Sequence, residues 1–369
     1  MSDRGYAPST TQRNAVVVIA VIAAGAALYW LRFLLTPFAL AVFLLIMIDG
    51  MARAIRKRAP GMPDWAATPA AMGAVVAFFG LSVFIVADNI AAFVGQLNGY
   101  LPRLNAMIAD VYRLTGGEGA APTLDQLAAR VDPQRFLGMG ASAIQGFAGD
   151  AILVLIYLAF LLVSRRGFER KIDSLFLGAA DRDEAADIFN RIRTGVERYL
   201  WVQTVTALLI AGGCYLVMLA VGLDQALFWA FFIFLATYIP VVGPTSGTIL
   251  PALFALVQFP GYFQAIVIFA GTQAVNFVVG NILNPRMAGQ SLNLDPLALL
   301  LGLAFWSLLW GITGAFLATP LLVMAMVLLA QFDGTRWIAV LMSQNGKPLG
   351  EERGRRQGAQ RLPAPSPDF

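Results

Sequence analysis

The sequence has no histidine, one cysteine and few charged residues. Charged residues make up 13% of its 369 residues and hydrophobic residues 58%, whereas a soluble domain is roughly 25% charged and about 45–50% apolar. The lack of histidine and the single Cys214 exclude disulfide frameworks, haem sites, zinc sites and histidine-based catalysis. One soluble core cannot bury this apolar excess, because such cores stop growing near roughly 250–300 residues. The composition therefore predicts an all-α polytopic membrane protein.

Long apolar runs divide the chain into about eight transmembrane helices. A crossing needs about 20 mostly apolar residues, and the runs of suitable length are residues 15–31, 34–48, 67–87, 148–163, 199–221 and 226–242. Residues 243–330 are also apolar, but Pro, Gly and Asn interrupt them at 259–261 and 281–296. We interpret this last part as two crossings made from broken or re-entrant helices, although four crossings fit the residue count too.

Basic residues orient the chain, because cytoplasmic loops are enriched in Lys and Arg. Four basic residues fall within 51–66, four more open the segment 164–198, and six lie in the tail after residue 331. By contrast, residues 89–145 carry four basic and four acidic residues. Both termini are therefore expected in the cytoplasm, with residues 89–145 on the other side of the membrane.

Cysteine labelling tests this orientation. Cysteines introduced at Gly117 and at Ala180 are expected to react from opposite sides of the membrane, with Gly117 reacting from outside. The measurement is labelling by a membrane-impermeant maleimide in intact cells and in inverted vesicles, and the unmodified chain with its single Cys214 gives the background. Labelling of both positions from the same side would overturn the orientation and the predicted number of crossings together.

Five segments follow from these patterns. They are a helical hairpin with a basic cytoplasmic loop (1–66), the third and fourth spans with a helical extracytoplasmic segment at 89–145 (67–166), cytoplasmic amphipathic helices (167–198), an apolar core with Pro, Gly and Asn breaks (199–331), and a partly disordered cytoplasmic tail (332–369).

The breaks in the apolar core predict a pathway for a solute. Between residues 199 and 331 the charged residues are Asp224, Arg286 and Asp295. Ionisable groups and interrupted helices at membrane depth are tolerated only inside protein or beside a water-filled cavity, and they point to transporter sites. The predicted pathway residues are Pro240, Gly243, Pro244, Asn276, Asn281, Asn284, Pro285, Arg286, Asp295, Gly311 and Gly314.

Simpler structural roles remain open for several of these residues. Asp295 precedes Pro296, where a helix would begin, and so fits a helix N-cap. Gly311 and Gly314 are three residues apart, which is typical of close helix packing. Asp224 lies in a short polar turn and fits a solvated turn residue.

Asp49 ends the second predicted span, four residues before Arg53. An interfacial i,i+4 ion pair between them is the simpler interpretation. Coupling of Asp49 to a transported ion is the alternative.

No sequence motif indicates an enzyme. The Gly-Lys pair at Gly346-Lys347 lacks the Gly-rich loop of an ATPase, and nothing resembles a serine nucleophile elbow or an intramembrane metal motif. We therefore expect neither catalysis nor a cofactor or metal. The net charge of +4 does not suggest a nucleic-acid partner.

The second half of the chain resembles the autoinducer-2 exporter family of bacterial inner-membrane permeases. Order and spacing fit from about Gly195 to Gln331, and the first half fits more loosely. The matching stretches are Arg198-Tyr199-Leu200, Gly222–Ala226, Ile239–Pro244, Asn281–Gly289, Leu294-Asp295-Pro296 and Leu309–Pro320, with Thr36–Ala41 and Leu101-Pro102 in the first half.

This resemblance implies about eight spans, ATP-independent transport, a multi-pass protein of the bacterial inner membrane surrounded by lipid, and a homo-oligomer, for which it suggests a pentamer. Some members are associated with export of a small polar quorum-sensing furanone, autoinducer-2, and others with sodium–proton antiport. Our interpretation is a permease for a small polar solute. The alternatives are a sodium–proton antiporter, for which Asp295 is the candidate carboxylate, and a membrane scaffold that transports nothing.

Overall fold

The structure is a computed structural model that describes residues 10–59, 63–115, 148–164, 179–240, 242–288 and 293–348, together with residues 61, 142, 145, 146 and 167. This part of the chain is helical, and its only strand-type pairing is one isolated bridge between Leu294 and Ser343. The contacts divide the chain into two compact units. One takes its described residues from 1–43, 157–175 and 293–369, and the other from 44–156 and 176–292.

The helices follow the apolar runs of the sequence. In chain order they are α1 (Thr10–Trp30), α2 (Arg32–Arg58), α3 (Asp64–Leu114), α4 (Ala148–Ser164), α5 (Ala179–Val221), α6 (Ala226–Ala236), α7 (Val242–Gln258), α8 (Phe263–Val278), a π-helical turn (Val279–Leu283), α9 (Asn284–Ala288), α10 (Pro296–Leu329) and α11 (Arg336–Met342).

Five stretches among the described helices are long and apolar enough to cross a membrane. They are Arg32–Arg58, Ala66–Asn89, Ala186–Val221, Phe263–Leu283 and Pro296–Leu329, and the shorter apolar helices are Ala15–Trp30, Ala148–Ser164, Ala226–Ala236 and Val242–Gln258. The prediction of an all-α polytopic membrane protein is confirmed.

Two helices are much longer than a membrane crossing needs. Helix α3 has 51 residues, which is about 77 Å at 1.5 Å per residue and more than twice the roughly 30 Å of a bilayer core. The helix of the third span does continue past the apolar run, as far as Leu114. Residues 116–141 lie outside the described residues, and the side of the membrane on which this extension lies stays a prediction. Helix α5 joins the predicted cytoplasmic amphipathic helix and the fifth span in one helix of 43 residues.

Helices α6 and α7 form a tight hairpin. Helix α6 has 11 residues, about 17 Å, and ends before the predicted sixth span would end at residue 242. A Cβ on Gly247 would lie 3.2 Å from Cγ1 of Ile233, although a straight helix would separate these residues by about 21 Å. The chain therefore reverses between them, at the turn that contains Pro240. Gly243 is buried there, and a Cβ on it would overlap the carbonyl oxygen of Ala236.

Helix α10 is also a hairpin, although its 34 residues read as one long span. Its backbone leaves the helical region at Gly311, with φ 64° and ψ −141°. A Cβ on Gly302 would overlap the side chain of Leu322, and in a straight helix these residues would lie about 30 Å apart. The two arms, 296–310 and 312–329, are about 22 and 27 Å long. At the tip, the indole Nε1 of Trp310 donates to the carbonyl oxygen of Leu28 in α1 over 3.2 Å.

The segment after α11 clamps the base of this hairpin. The amide N–H groups of Gln344 and Asn345 donate to the main-chain and side-chain oxygens of Asn293, over 3.0 and 3.1 Å. The side chain of Asn293 in turn donates to the carbonyl oxygen of Lys347 over 2.9 Å. Beside it, Asp295 accepts from the N–H groups of Leu297 and Ala298, which confirms the N-cap role.

Candidate functional site

A polar cavity of about 440 Å³ lies in the second unit, against the tip of the α6–α7 hairpin. Its wall comes from α5, the hairpin turn, the start of α7, α8, the π-helical turn and α9. The lining residues are Gln203, Thr206, Ile210, Thr237, Pro240, Pro244, Gln273, Asn276, Phe277, Gly280, Asn281 and Asn284.

Small residues bring α5 and α8 together behind this cavity. A Cβ on Gly213 would lie 2.7 Å from Cγ1 of Val275, and a Cβ on Gly271 would lie 2.6 Å from Cγ1 of Val217. Each glycine therefore accepts a valine of the opposite helix, which is the close packing that membrane helices use. The approach places Gln203 and Thr206 on α5 opposite Asn276 on α8 across the cavity.

The π-helical turn at Val279–Leu283 shapes one wall. A π-helical turn inserts one residue into the helical register, and such turns are frequent at functional sites. Here it carries Gly280 and Asn281 and precedes Asn284, all of which line the cavity. The side-chain amide of Asn281 donates to the carbonyl oxygen of Phe277 over 3.1 Å, leaving its amide oxygen as a further acceptor.

Two buried polar atoms of the wall have no hydrogen-bond partner among the residues that the structure describes. They are Oγ1 of Thr206, a residue that is 3% exposed, and Oδ1 of Asn276. The amide nitrogen of Asn276 is satisfied, because it donates to the carbonyl oxygen of Thr272 over 3.0 Å. An unpaired buried polar atom costs about 1–3 kcal/mol, so these atoms favour a hydrogen-bonding occupant, either water or a polar solute.

The cavity is polar without being charged. Seven of its twelve described lining residues carry an amide or a hydroxyl group, and none of the twelve carries a charge. One of these polar side chains also contacts the hairpin turn, because Nε2 of Gln203 donates to the carbonyl oxygen of Thr237 over 2.6 Å. Such a wall offers donors and acceptors for a neutral polar molecule and no counter-ion for a charged one.

The structure brings five of the predicted pathway residues to this cavity, namely Pro240, Pro244, Asn276, Asn281 and Asn284. Gly243 is buried beneath the same turn. Pro285 and Arg286 follow Asn284 in α9, a helical turn where the sequence suggested broken backbone, and Arg286 is exposed.

The remaining predicted residues, Asp295, Gly311 and Gly314, belong to the other unit. Asp295 caps α10, and Gly311 forms the tip of its hairpin. Gly314 lies against the first arm, where a Cβ would overlap the carbonyl oxygen of Trp306. Gly314 therefore allows close packing of the two arms of the α10 hairpin, which is the simpler of the two roles that the sequence suggested for it.

Sequence reasoning missed the neutral polar residues Gln203, Thr206, Thr237 and Gln273. Gln203, Thr206 and Gln273 sit in apolar stretches of α5 and α8 that contain neither charges nor helix breakers. Thr237 sits in the turn after α6, three residues before Pro240. Their spacing carried some information, because Gln203 and Thr206 lie three residues apart and so share one face of α5.

A second polar cluster joins α3 to the turn before α6. The hydroxyl of Tyr100 donates to Oδ2 of Asp224 over 3.1 Å, and the amide N–H of Asp224 donates to Oε1 of Gln258 over 2.8 Å. Burial of the phenol, reinforced by the neighbouring Asp224 carboxylate, raises the pKa of Tyr100 to about 12. Asp224 is thus a contact between helices, whereas the sequence had suggested a solvated turn residue.

Comparison with known proteins identifies the family. The model of the AI-2E family transporters matches residues 18–334. The chain belongs to the AI-2E transporter family. The resemblance seen in the sequence is confirmed, and as a family member the chain is a multi-pass membrane protein of a transporter family.

Individual relatives of this AI-2E family member are distant but cover most of its length. The AI-2 transport protein TqsA of Escherichia coli is 25% identical over 322 residues, 85% of this chain and 90% of TqsA. A candidate transport protein of Haemophilus influenzae is 25% identical over 316 residues, 84% of this chain and 90% of its own length. A candidate transport protein of Borreliella burgdorferi is 28% identical over 212 residues, 55% of each chain.

Proposed function

We propose that the protein is an ATP-independent permease for a small, uncharged, polar solute, and that the polar cavity against the α6–α7 hairpin is its binding site. The observation that carries the proposal is a wall of seven amide or hydroxyl side chains with no charged residue among the twelve that line it. Membership of the AI-2E family transporters supports transport as the activity.

Autoinducer-2 is the first solute to test. It is the molecule after which the AI-2 transport protein TqsA is named, and TqsA resembles 85% of this chain. A small polar furanone matches the hydrogen-bonding capacity of the cavity. We also propose the bacterial inner membrane as the location and a homo-oligomer as the assembly, both on family grounds.

The test is flux through reconstituted liposomes with a panel of neutral polar solutes that includes autoinducer-2. Asn276→Leu keeps the approximate volume of the side chain and removes the unpaired Oδ1. We expect it to reduce flux at least tenfold, which corresponds to about 1.4 kcal/mol of lost binding or transition-state stabilisation. Sodium and proton gradients are varied in the same assay.

Asn89→Leu is the matched control. Asn89 lies in α3, away from the cavity lining, and makes the same type of contact as Asn276, donating to the carbonyl oxygen four residues earlier over 2.8 Å. We expect its flux to equal that of the unmodified protein. Equal flux in the Asn276→Leu and Asn89→Leu variants would remove the cavity from the pathway, and no flux of any neutral solute would favour the scaffold interpretation.

Asp295 separates this permease from the sodium–proton antiporter. Asp295→Asn keeps a side-chain oxygen for the N-cap and removes the charge. Because Asp295 caps α10, we expect solute flux to persist in the variant. We also expect no sodium-driven proton movement in either protein, measured as lumenal pH after sodium is added to acid-loaded proteoliposomes. A sodium-driven signal that the substitution abolishes would favour the antiporter instead.

A further inference from the structure

A second cavity, of about 490 Å³, lies between the end of α2 and the first half of α5, within one unit. We call it the interfacial groove. Its lining includes Arg53 from α2 and Arg193, Glu197, Arg198 and Trp201 from α5. The α5 residues 193, 197 and 201 are spaced four apart and follow one face of the helix. The groove therefore runs along α5 toward its apolar part, which begins at Tyr199.

Positive charge dominates the lining of the groove. Three guanidinium groups face one carboxylate, that of Glu197, which pairs with Arg53. Arg193 is paired with Asp49, with Nη2 and Oδ2 3.0 Å apart, and Asp49 is only 8% exposed. Within the described part of the chain, Arg198 makes no ion pair and stays exposed. The groove thus keeps a guanidinium available for an anion.

Two ion pairs join the walls of the groove. Gly50 lies beside one of them, because a Cβ on Gly50 would lie 2.9 Å from Oε1 at the movable end of the Glu197 side chain. The pairs of Arg53 with Glu197 and of Asp49 with Arg193 both join α2 to α5. Arg198 lies on the same stretch of α5, one residue after Glu197.

The groove also meets the apolar surface of α5. Trp201, three residues after Arg198, is 54% exposed, and Leu208, two turns further on, is 58% exposed. Tryptophan favours the level of lipid headgroups, and arginine binds phosphate oxygens through its planar fork of donors. A ligand at Arg198 therefore has a phosphate site at one end and a path for acyl chains at the other.

We propose that the interfacial groove binds the headgroup phosphate of an anionic phospholipid. The phosphate accepts hydrogen bonds from Arg198, and Thr194 adds a hydroxyl donor from the groove lining. The acyl chains lie along Trp201 and the exposed leucines of α5. A free phosphate compound shares the headgroup chemistry, but it would gain nothing from this apolar surface.

The test measures thermal unfolding of the full-length protein in detergent micelles, followed by tryptophan fluorescence. Three probes are titrated: dioleoyl-phosphatidylglycerol, dioleoyl-phosphatidylcholine with the same chains, and soluble glycerol 3-phosphate. We expect phosphatidylglycerol to raise the melting temperature at the lowest concentration. Arg198→Gln should raise the concentration that gives the half-maximal shift roughly tenfold, the value of one charge-assisted hydrogen bond.

Arg191→Gln is the matched control, because it removes the same charge from the same helix outside the groove. Arg191 pairs with Asp187 on the surface of α5, with Nε and Oδ2 2.8 Å apart. Equal weakening in both variants would mean unspecific attraction, and equal effects of the two lipids would exclude selection of an anion. An equal effect of glycerol 3-phosphate would exclude the lipid. If the glutamine variant does not fold, Arg198→Lys replaces it. This variant keeps the charge, and we expect it to raise the concentration of phosphatidylglycerol at the half-maximal shift by less than tenfold.

Discussion

Alanine at Gly314 is expected to lower the melting temperature of the purified protein by roughly 5–10 °C, or to prevent folded protein from accumulating. A Cβ at this position would overlap the carbonyl oxygen of Trp306 and lie 2.9 Å from Cβ of Trp310. A main-chain oxygen cannot move aside as a side-chain end can, so the two arms of the α10 hairpin would have to separate. The measurement is thermal unfolding in detergent, together with the yield of monodisperse protein.

Gly212→Ala is the control for this substitution. Gly212 lies inside α5, and nothing would stand within 4 Å of its Cβ. Alanine there should leave the protein unchanged or stabilise it by about 0.5–1 kcal/mol, because alanine is the better helix former. If Gly314→Ala unfolds at the same temperature as Gly212→Ala, the hairpin packing described for α10 is wrong.

Removing the guanidinium of Arg193 is expected to destabilise the protein by about 2–4 kcal/mol, because the buried Asp49 carboxylate loses an ion-pair partner. Adding Asp49→Asn to Arg193→Gln should recover part of that loss. A double-mutant cycle measured by unfolding in detergent, with no lipid added, gives the coupling energy between the two side chains.

The exposed pair Arg191–Asp187 supplies the comparison. It joins residues four apart on one helix, and Asp187 has 59% of its side chain exposed. Such pairs contribute about 0–1 kcal/mol, so Arg191→Gln should change stability little. A coupling energy of Arg193 with Asp49 no larger than that of Arg191 with Asp187 would contradict a structural role for the cross-helix pair.

Hydropathy and charge were sufficient to predict the helical membrane fold, because a bilayer admits few other arrangements of an apolar chain. They also located the breaks near Gly261 and Pro296. They also singled out Gly311 and Gly314 as a break, but they did not reveal that the chain turns back at Gly311, since glycines three residues apart in an apolar run are equally compatible with close packing of a straight helix. The reversal depends on contacts between residues about 20 positions apart, such as Gly302 with Leu322, which no local pattern encodes.

Only part of the candidate site could be predicted from the sequence, because its wall also depends on contacts between residues that are distant in the chain. Prolines and asparagines that interrupt an apolar run were visible one by one, and Pro240, Pro244 and Asn276 do line the cavity. In the sequence, Gln203 and Thr206 are isolated polar residues of a predicted span. They form part of a cavity wall only because α8 packs against α5 in the fold. The cross-helix pair of Asp49 with Arg193 joins residues 144 positions apart, so the sequence favoured the nearer Arg53 as the partner.

The clamp at the base of the α10 hairpin bears on how this segment enters the bilayer during synthesis. Asn293 contacts residues 344, 345 and 347, so the hairpin begins and ends on one side of the membrane. Residues 296–329 contain no charged side chain. No hydrophilic loop has to be moved across the bilayer, and the whole segment can partition from the side on which it was synthesised. The translocon therefore does not have to transfer a polar segment across the bilayer when this hairpin inserts.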